Sequence, residues 1–147
     1  MEIALGILMD AFFVALLVWC AYTDIKARTV SNLAVILLLC LGLAHLMLTL
    51  LTGVVWWVYP AGLALSAPFF ASWLKGHMGG GDVKLLMGIG LYLGLIHTLL
   101  AFVLMLPLLG ALAIHSWRKT RTLRRSIPFA PVLSFGAGGI IIISYLL

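Results

Sequence analysis

Charge is what this sequence has least of. Only 9% of its 147 residues are charged, and only four are acidic. A soluble domain is near half apolar and about a quarter charged, whereas 65% of this chain is hydrophobic and its mean hydropathy is +1.25. That balance excludes a water-soluble globule, and the length suggests one domain, residues 1–147. Cysteine is almost as scarce. Cys20 and Cys40 lie inside apolar runs and form no CxxC pair, so there is no zinc-ribbon domain, and both read as apolar filler. No stretch alternates apolar and polar residues with period two, which removes the β-barrel signal. A basic n-region and a small-residue cleavage site are missing too. Met1 is followed by Glu2, so the first apolar run is expected to be a retained helix and not a removed signal peptide.

What the chain has in quantity is apolar length. A bilayer-spanning helix takes roughly 20 such residues, and six runs approach or meet that. They fall at about Ile3–Tyr22, Leu33–Leu51, Val54–Leu74, Val83–Leu95, Thr98–Trp117 and Ile127–Leu147. The expected fold is therefore all-α, a polytopic membrane protein with about six transmembrane helices. The fourth run is short, about 13 residues or ~20 Å of helix, and is expected to tilt little or to sit partly inside the bundle.

All nine basic residues fall in three places. Lys26 and Arg28 follow the first run. Lys75 and Lys84 flank a glycine run. Arg118, Lys119, Arg121, Arg124 and Arg125 lie between the fifth and sixth. With six crossings these places share one side, and the opposite connections carry no Lys or Arg. The positive-inside rule puts the basic side in the cytoplasm and both termini outside. Trp56, Trp57 and Tyr59 suit an interfacial aromatic belt at the outer end of the third helix. The net charge of +5 then needs no nucleic acid to explain it, because the arginine cluster has anionic membrane lipid beside it.

Two of the four acids stand out. Asp24 and Asp82 are both expected at helix ends on the cytoplasmic side, and each is followed two residues later by lysine, in T-D-I-K and G-D-V-K. Two carboxylates sharing a site cannot both ionise easily, so they share a proton. The ionised member can deprotonate a water while the protonated one polarises a scissile carbonyl, as in aspartic proteases. The residues before Asp82, Gly79, Gly80 and Gly81, lack Cβ and would let a substrate backbone approach closely. They would also leave helix N-terminal N–H groups near the acid. Spacing alone leaves plainer alternatives open. Asp82 suits the N-cap of a glycine-rich turn, and Asp24 suits an interfacial acid paired with Lys26 or Arg28. Lys84 either holds Asp82 ionised or, as its position favours, snorkels to lipid phosphate. Asp10 lies ~20 Å along the first helix from Asp24 and belongs to another site, unassigned. His45, His97 and His115 read as interfacial or bundle polar groups, and His77 has no second His or Cys at ligand spacing.

Beyond spacing, G-G-G-D-V-K-L-L resembles the second catalytic motif of the type IV prepilin peptidases, which are GxGD-type intramembrane aspartic proteases. D-I-K-A-R-T-V-S-N resembles their first motif, and I-P-F-A-P-V-L-S-F-G, residues 127–136, resembles the Pro-Phe-x-Pro segment that opens their last helix. The three occur in the family's order. This resemblance implies an endopeptidase that removes the short basic leader of prepilins or pseudopilins, at the cytoplasmic face of the bacterial inner membrane, before the substrate's apolar helix. Asp24 and Asp82 match the two catalytic aspartates, acting on a water with no metal, cofactor or covalent intermediate. Gly79–Gly81, Lys26, Lys84 and Asn32 fall in the motifs as substrate-binding candidates. Larger relatives carry a cytoplasmic loop with paired cysteines associated with N-methylation. Here about ten residues separate the first two helices, as in the short, peptidase-only class. Ser31 stands where many relatives have Pro, and Val132 where an aromatic is common. Two other functions compete: a non-catalytic assembly factor of a pilus or secretion system, and a small proton- or cation-coupled transporter using the same acids.

Overall fold

The computed structural model describes residues 2–53, 55–76, 79–120 and 129–146. It is 90% helix, with no strand among the described residues. The elements are α1 (Glu2–Ala27), α2 (Asn32–Thr52), α3 (Val58–Ala64), α4 (Ala67–Leu74), α5 (Gly80–Thr120) and α6 (Phe129–Leu146). Four stretches are long and apolar enough to cross a membrane: Ala4–Ala27, Asn32–Thr52, Gly80–Leu112 and Phe129–Leu146. Their outward faces stay apolar, with Leu8, Val18, Ile36, Val103 and Ile142 all more than half exposed. A bilayer would cover such faces, which water would not tolerate over so large an area.

The expected third helix is broken. Two short helices take its place, joined through Leu65 and Ser66, which keep right-handed helical dihedrals. Pro60 lies inside α3 and Pro68 in the first turn of α4, where its missing N–H costs little. The fourth and fifth expected helices form one 41-residue stretch, interrupted at Gly94 (φ 74, ψ 177). That backbone conformation is open essentially to glycine alone.

The chain folds back at Gly94. Val58 packs beside Gly94 and Trp73 beside Gly80, so α3 and α4 together run antiparallel to the first limb of α5. Phe69 of α4 stacks on Phe102, their ring centroids 5.5 Å apart. A straight α5 would carry Phe102 about 12 Å beyond Gly94, away from α4. The Thr98 hydroxyl donates to the Gly94 carbonyl (2.6 Å) and ties the start of the second limb. The break therefore falls where the sequence placed the boundary between its fourth and fifth runs.

The first limb of α5 is the centre of the bundle. Leu85, Leu86 and Ile89 are fully buried against Phe13, Leu17, Leu38 and Leu133 from α1, α2 and α6. On its other side α3 crosses at Gly62, whose backbone lies directly on Gly90 and Gly94. Gly90-x-x-x-Gly94 is the small-residue spacing that lets two apolar helices approach to backbone contact.

This packing collects the ends of α1 and α4 and the starts of α2, α5 and α6 at one end of the bundle. Gly53, Val58 and Gly94 lie at the other. Trp56 and Trp57 are exposed there, but Tyr59 is turned inward, edge-on to His45 (5.2 Å). His77, Arg121, Arg124, Arg125, Ile127 and Pro128 lie outside the described residues.

Candidate active site

Helix α1 runs past its expected end at Tyr22, so Asp24 and Lys26 lie in its last turn and not after it. Arg28 closes the helix with a left-handed backbone (φ 51), its N–H donating to the Asp24 carbonyl at 2.8 Å. Only the four residues 28–31 separate α1 from α2, so Asn32 returns beside Asp24. The Asp24 side chain is 8% exposed. The Ala130 backbone N–H, in the first turn of α6, and the Arg28 guanidinium both lie near enough to favour its charged form. The Pro-Phe-x-Pro stretch thus has a physical part. Its Phe129 opens α6, whose electropositive end faces Asp24, and Pro131 in the first turn gives up no intrahelical hydrogen bond. Asp24 Oδ2 is buried with no hydrogen-bond partner among the described residues.

Helix α5 begins at Gly80, earlier than expected. The Val83 N–H reaches the Gly79 carbonyl (3.5 Å), so Gly80 and Gly81 are already helical and Asp82 is the third residue. This corrects the N-cap alternative, since the cap position belongs to Gly79. Asp82 instead lies in the first turn, where the helix dipole favours an acid. The N–H groups of Gly80, Gly81 and Asp82 have no intrahelical carbonyl to meet.

The two acids, 58 positions apart in sequence, come together. Asp24, Arg28, Thr29, Val30, Asn32, Gly79, Gly80, Gly81 and Asp82 line one cavity of about 400 Å³. Its two carboxylates are close enough for their charges to interact. A polar cavity with two facing carboxylates and one guanidinium at a bundle end can hold a water and a peptide carbonyl. Among the described residues no three His, Cys, Asp or Glu side chains gather as a metal site would need.

Four of the six expected binding residues line this cavity: Gly79, Gly80, Gly81 and Asn32. The two lysines do not. On a helix, residues two apart point to different faces, and both D-x-K strings proved helical. Lys26 is exposed with its Nζ 5.7 Å from the Tyr22 ring centroid, within cation–π range. Lys84 donates to Asn32 Oδ1 at 3.4 Å. It neither lines the cavity with Asp82 nor stands free as a snorkelling lysine would.

The glycines also differ from expectation. A Cβ on Gly80 would come 2.9 Å from Trp73 Nε1, and one on Gly81 would come 3.0 Å from Val30 Cβ. Their missing side chains make room for this protein's own Trp73 and Val30. Gly79 is the one whose Cβ would face the acid, 3.2 Å from Asp82 Oδ2. Trp73 lies in no motif, so nothing in the sequence pattern pointed to it. Val30 could have been found as the apolar residue inside the first motif.

Asp10 is engaged elsewhere, as its distance along α1 required. It accepts hydrogen bonds from Tyr92 (2.7 Å) and Tyr145 (2.6 Å), which tie α1, α5 and α6 in the opposite half of the bundle. His45 packs between the rings of Tyr92 and Tyr59.

The sequence model of the type IV leader peptidase family matches residues 11–115, a span that includes both acids. The chain belongs to that family. A curated relative, the prepilin leader peptidase/N-methyltransferase of Bacillus subtilis (strain 168), is 32% identical over 145 aligned residues, covering 92% of this chain and 57% of the relative. This leader peptidase family member thus spans little more than half the length of that relative. No solved structure matches the chain.

Proposed function

We propose that this leader peptidase family member is an aspartic endopeptidase of the membrane, cutting the basic leader from prepilins or pseudopilins at the cytoplasmic face of the bacterial inner membrane. The observation that supports it most is the shared cavity: Asp24 from the end of α1 and Asp82 from the start of α5 both line it. The name of the Bacillus subtilis relative supplies the substrate class.

In this mechanism one carboxylate is ionised and the other protonated. The ionised one takes a proton from a water, whose oxygen attacks the scissile carbonyl carbon. The protonated one gives its proton to the carbonyl oxygen, so a neutral gem-diol forms. Return of a proton to the amide nitrogen then lets the C–N bond break. The free N–H groups of the first α5 turn and Arg28 favour negative charge in the cavity. Gly79 leaves the side of Asp82 open to a peptide backbone, and Asn32 offers a hydrogen bond to it.

The chain crosses the membrane six times in this reading. The α3–α4 pair and the two limbs of α5 supply the crossings beyond α1, α2 and α6. The basic connections then lie in the cytoplasm with the cavity, and both termini lie outside. Residues 1–147 form a single peptidase domain. The test is co-expression in membranes with a prepilin bearing a basic leader, with cleavage read as a gel shift. Wild type should cleave, while Asp24→Asn and Asp82→Asn, inserted at equal levels, should not. Cleavage by either variant would remove the two-acid mechanism. No cleavage by well-expressed wild type across several prepilins would turn the assignment toward an assembly factor.

A further inference from the structure

A second cavity adjoins the first and shares Gly80 with it. Phe70 and Trp73 of α4 line it on one side, and Gly80, Val83, Lys84 and Met87 of α5 on the other. The α5 residues fall at i, i+3, i+4 and i+7, a single helix face. The cavity is about 190 Å³, smaller than the roughly 300–1,000 Å³ of a small-molecule site. It is a recess for one large side chain. Its surface is apolar throughout, in contrast to the carboxylates and guanidinium next door.

The partition between the two cavities is thin. Trp73 packs against Gly80 where a side chain would otherwise be. Above it, Lys84 on the apolar side donates to Asn32 on the polar side. No residue of α4 is fully buried, and Phe70, Trp73 and Leu74 leave an apolar helix face uncovered beside the two acids. A substrate whose scissile carbonyl lies in the acid cavity has its neighbouring side chain within one residue, about 3.3–3.6 Å of extended chain. Gly80 is the lining residue that the two cavities share, so the next side chain along the substrate is the one that meets the apolar side. On the proposed substrate the chain changes from polar leader to apolar helix at this bond, and only the apolar side suits the second cavity.

Resting on the peptidase assignment above, the geometry points to this recess as the specificity pocket for the first apolar side chain after the scissile bond. The substrate's helix lies along the exposed face of α4 and the first limb of α5. Met87 sets the depth of the pocket and Phe70 its outer wall.

The test compares substrates identical except for Ala, Leu, Phe or Trp directly after the scissile bond, each cleaved by wild type, Met87→Phe and Phe70→Ala. Filling the recess with Met87→Phe should move relative kcat/KM toward Ala by tenfold or more. Opening it with Phe70→Ala should move preference toward Trp. A single methylene in an apolar pocket already changes discrimination by about 10–200-fold. Ratios within one enzyme cancel differences in expression. Identical ratios in all three enzymes would overturn the pocket and leave the peptidase standing, whereas a wild type that cleaves none of the four would overturn both. Should a variant not fold, p-benzoylphenylalanine at the same substrate position, irradiated with Asp82→Asn, gives a second measurement. Adducts on the Phe70–Trp73 segment or at Met87 are expected, and adducts confined to other helices would overturn the assignment.

Discussion

Replacing Gly62 with alanine adds one methyl group at the point where α3 meets α5. That methyl would run into the Gly90 carbonyl oxygen and lie 2.7 Å from the Gly94 carbonyl carbon and 2.9 Å from its Cα, against 3.4–4 Å for ordinary contact. All three obstacles are backbone atoms, and Gly94 is held in a conformation that leaves it little freedom to retreat. The two helices must therefore separate by roughly half to one ångström. Overpacking of this kind costs about 1–3 kcal/mol, and a backbone obstacle puts Gly62→Ala at the upper end. At this chain length 1 kcal/mol moves Tm by about 2–4 °C, so Gly62→Ala should lower it by roughly 6–12 °C. Cys20, fully buried and free, reports the transition as its thiol becomes reactive in detergent, in a Cys40→Ser background. Gly110→Ala is the control, because no atom lies within 4 Å of its added methyl. Alanine is the better helix former by about 1 kcal/mol, so Tm there should hold or rise. Equal Tm values for Gly62→Ala and wild type would refute the backbone contact, and with it the antiparallel placement of α3. Leader cleavage should fall alongside stability, since α3 carries α4 and Trp73 with it.

Gly81→Ala should lower cleavage by tenfold or more, because its methyl meets Val30 at 3.0 Å and small displacements at a reacting centre can cost 10²-fold. Adding Val30→Ala should restore much of the rate, and a double variant no better than Gly81→Ala would place the fault elsewhere. Tyr92→Phe keeps the stack on Phe13 (4.1 Å) but removes the bond to Asp10, and should cost about 1–3 kcal/mol in thermal unfolding. Tyr145→Phe, at the exposed end of the same carboxylate, should cost less; the reverse order would contradict the geometry. A dyad that needs one proton gives a bell-shaped pH–rate profile, falling in acid when both carboxyls are protonated and in base when both are ionised. A rate that climbs steadily across that range would contradict the shared proton. Chelation with EDTA should leave cleavage unchanged, and reversible inhibition would point to a metal.

Much of the helical layout was legible because it is written as apolar length. Runs ending near Leu51, Leu74 and Leu95 mark where helices end or turn, and all three match the structure to within a residue or two. What length could not express was how a helix end is finished. Asp24 and Asp82 are legible as a pair at helix ends, Asp24 just after the first apolar run and Asp82 at the start of the fourth, but apolar length does not show how far each helix continues around its acid. In the structure the next intrahelical hydrogen bond still forms, Arg28 to Asp24 and Val83 to Gly79. One more turn of helix is enough to send Lys26 and Lys84 away from the acids they follow.

The glycines mark the limit of such reading most clearly. A residue without a side chain says that something comes close, and not what. At Gly94 it is a dihedral, at Gly62 and Gly90 another backbone, and at Gly80 and Gly81 the side chains of Trp73 and Val30. Only a three-dimensional arrangement separates these causes. The separation has a functional consequence: with Gly80 already filled by Trp73, a substrate cannot lie against it from the apolar side without meeting the indole. Trp73 therefore stands where the polar and apolar parts of a substrate would divide. Its replacement by Ala should loosen discrimination between substrates more than it slows the favoured one, as a ratio of kcat/KM values would reveal. A uniform loss across all substrates would make Trp73 a packing residue alone.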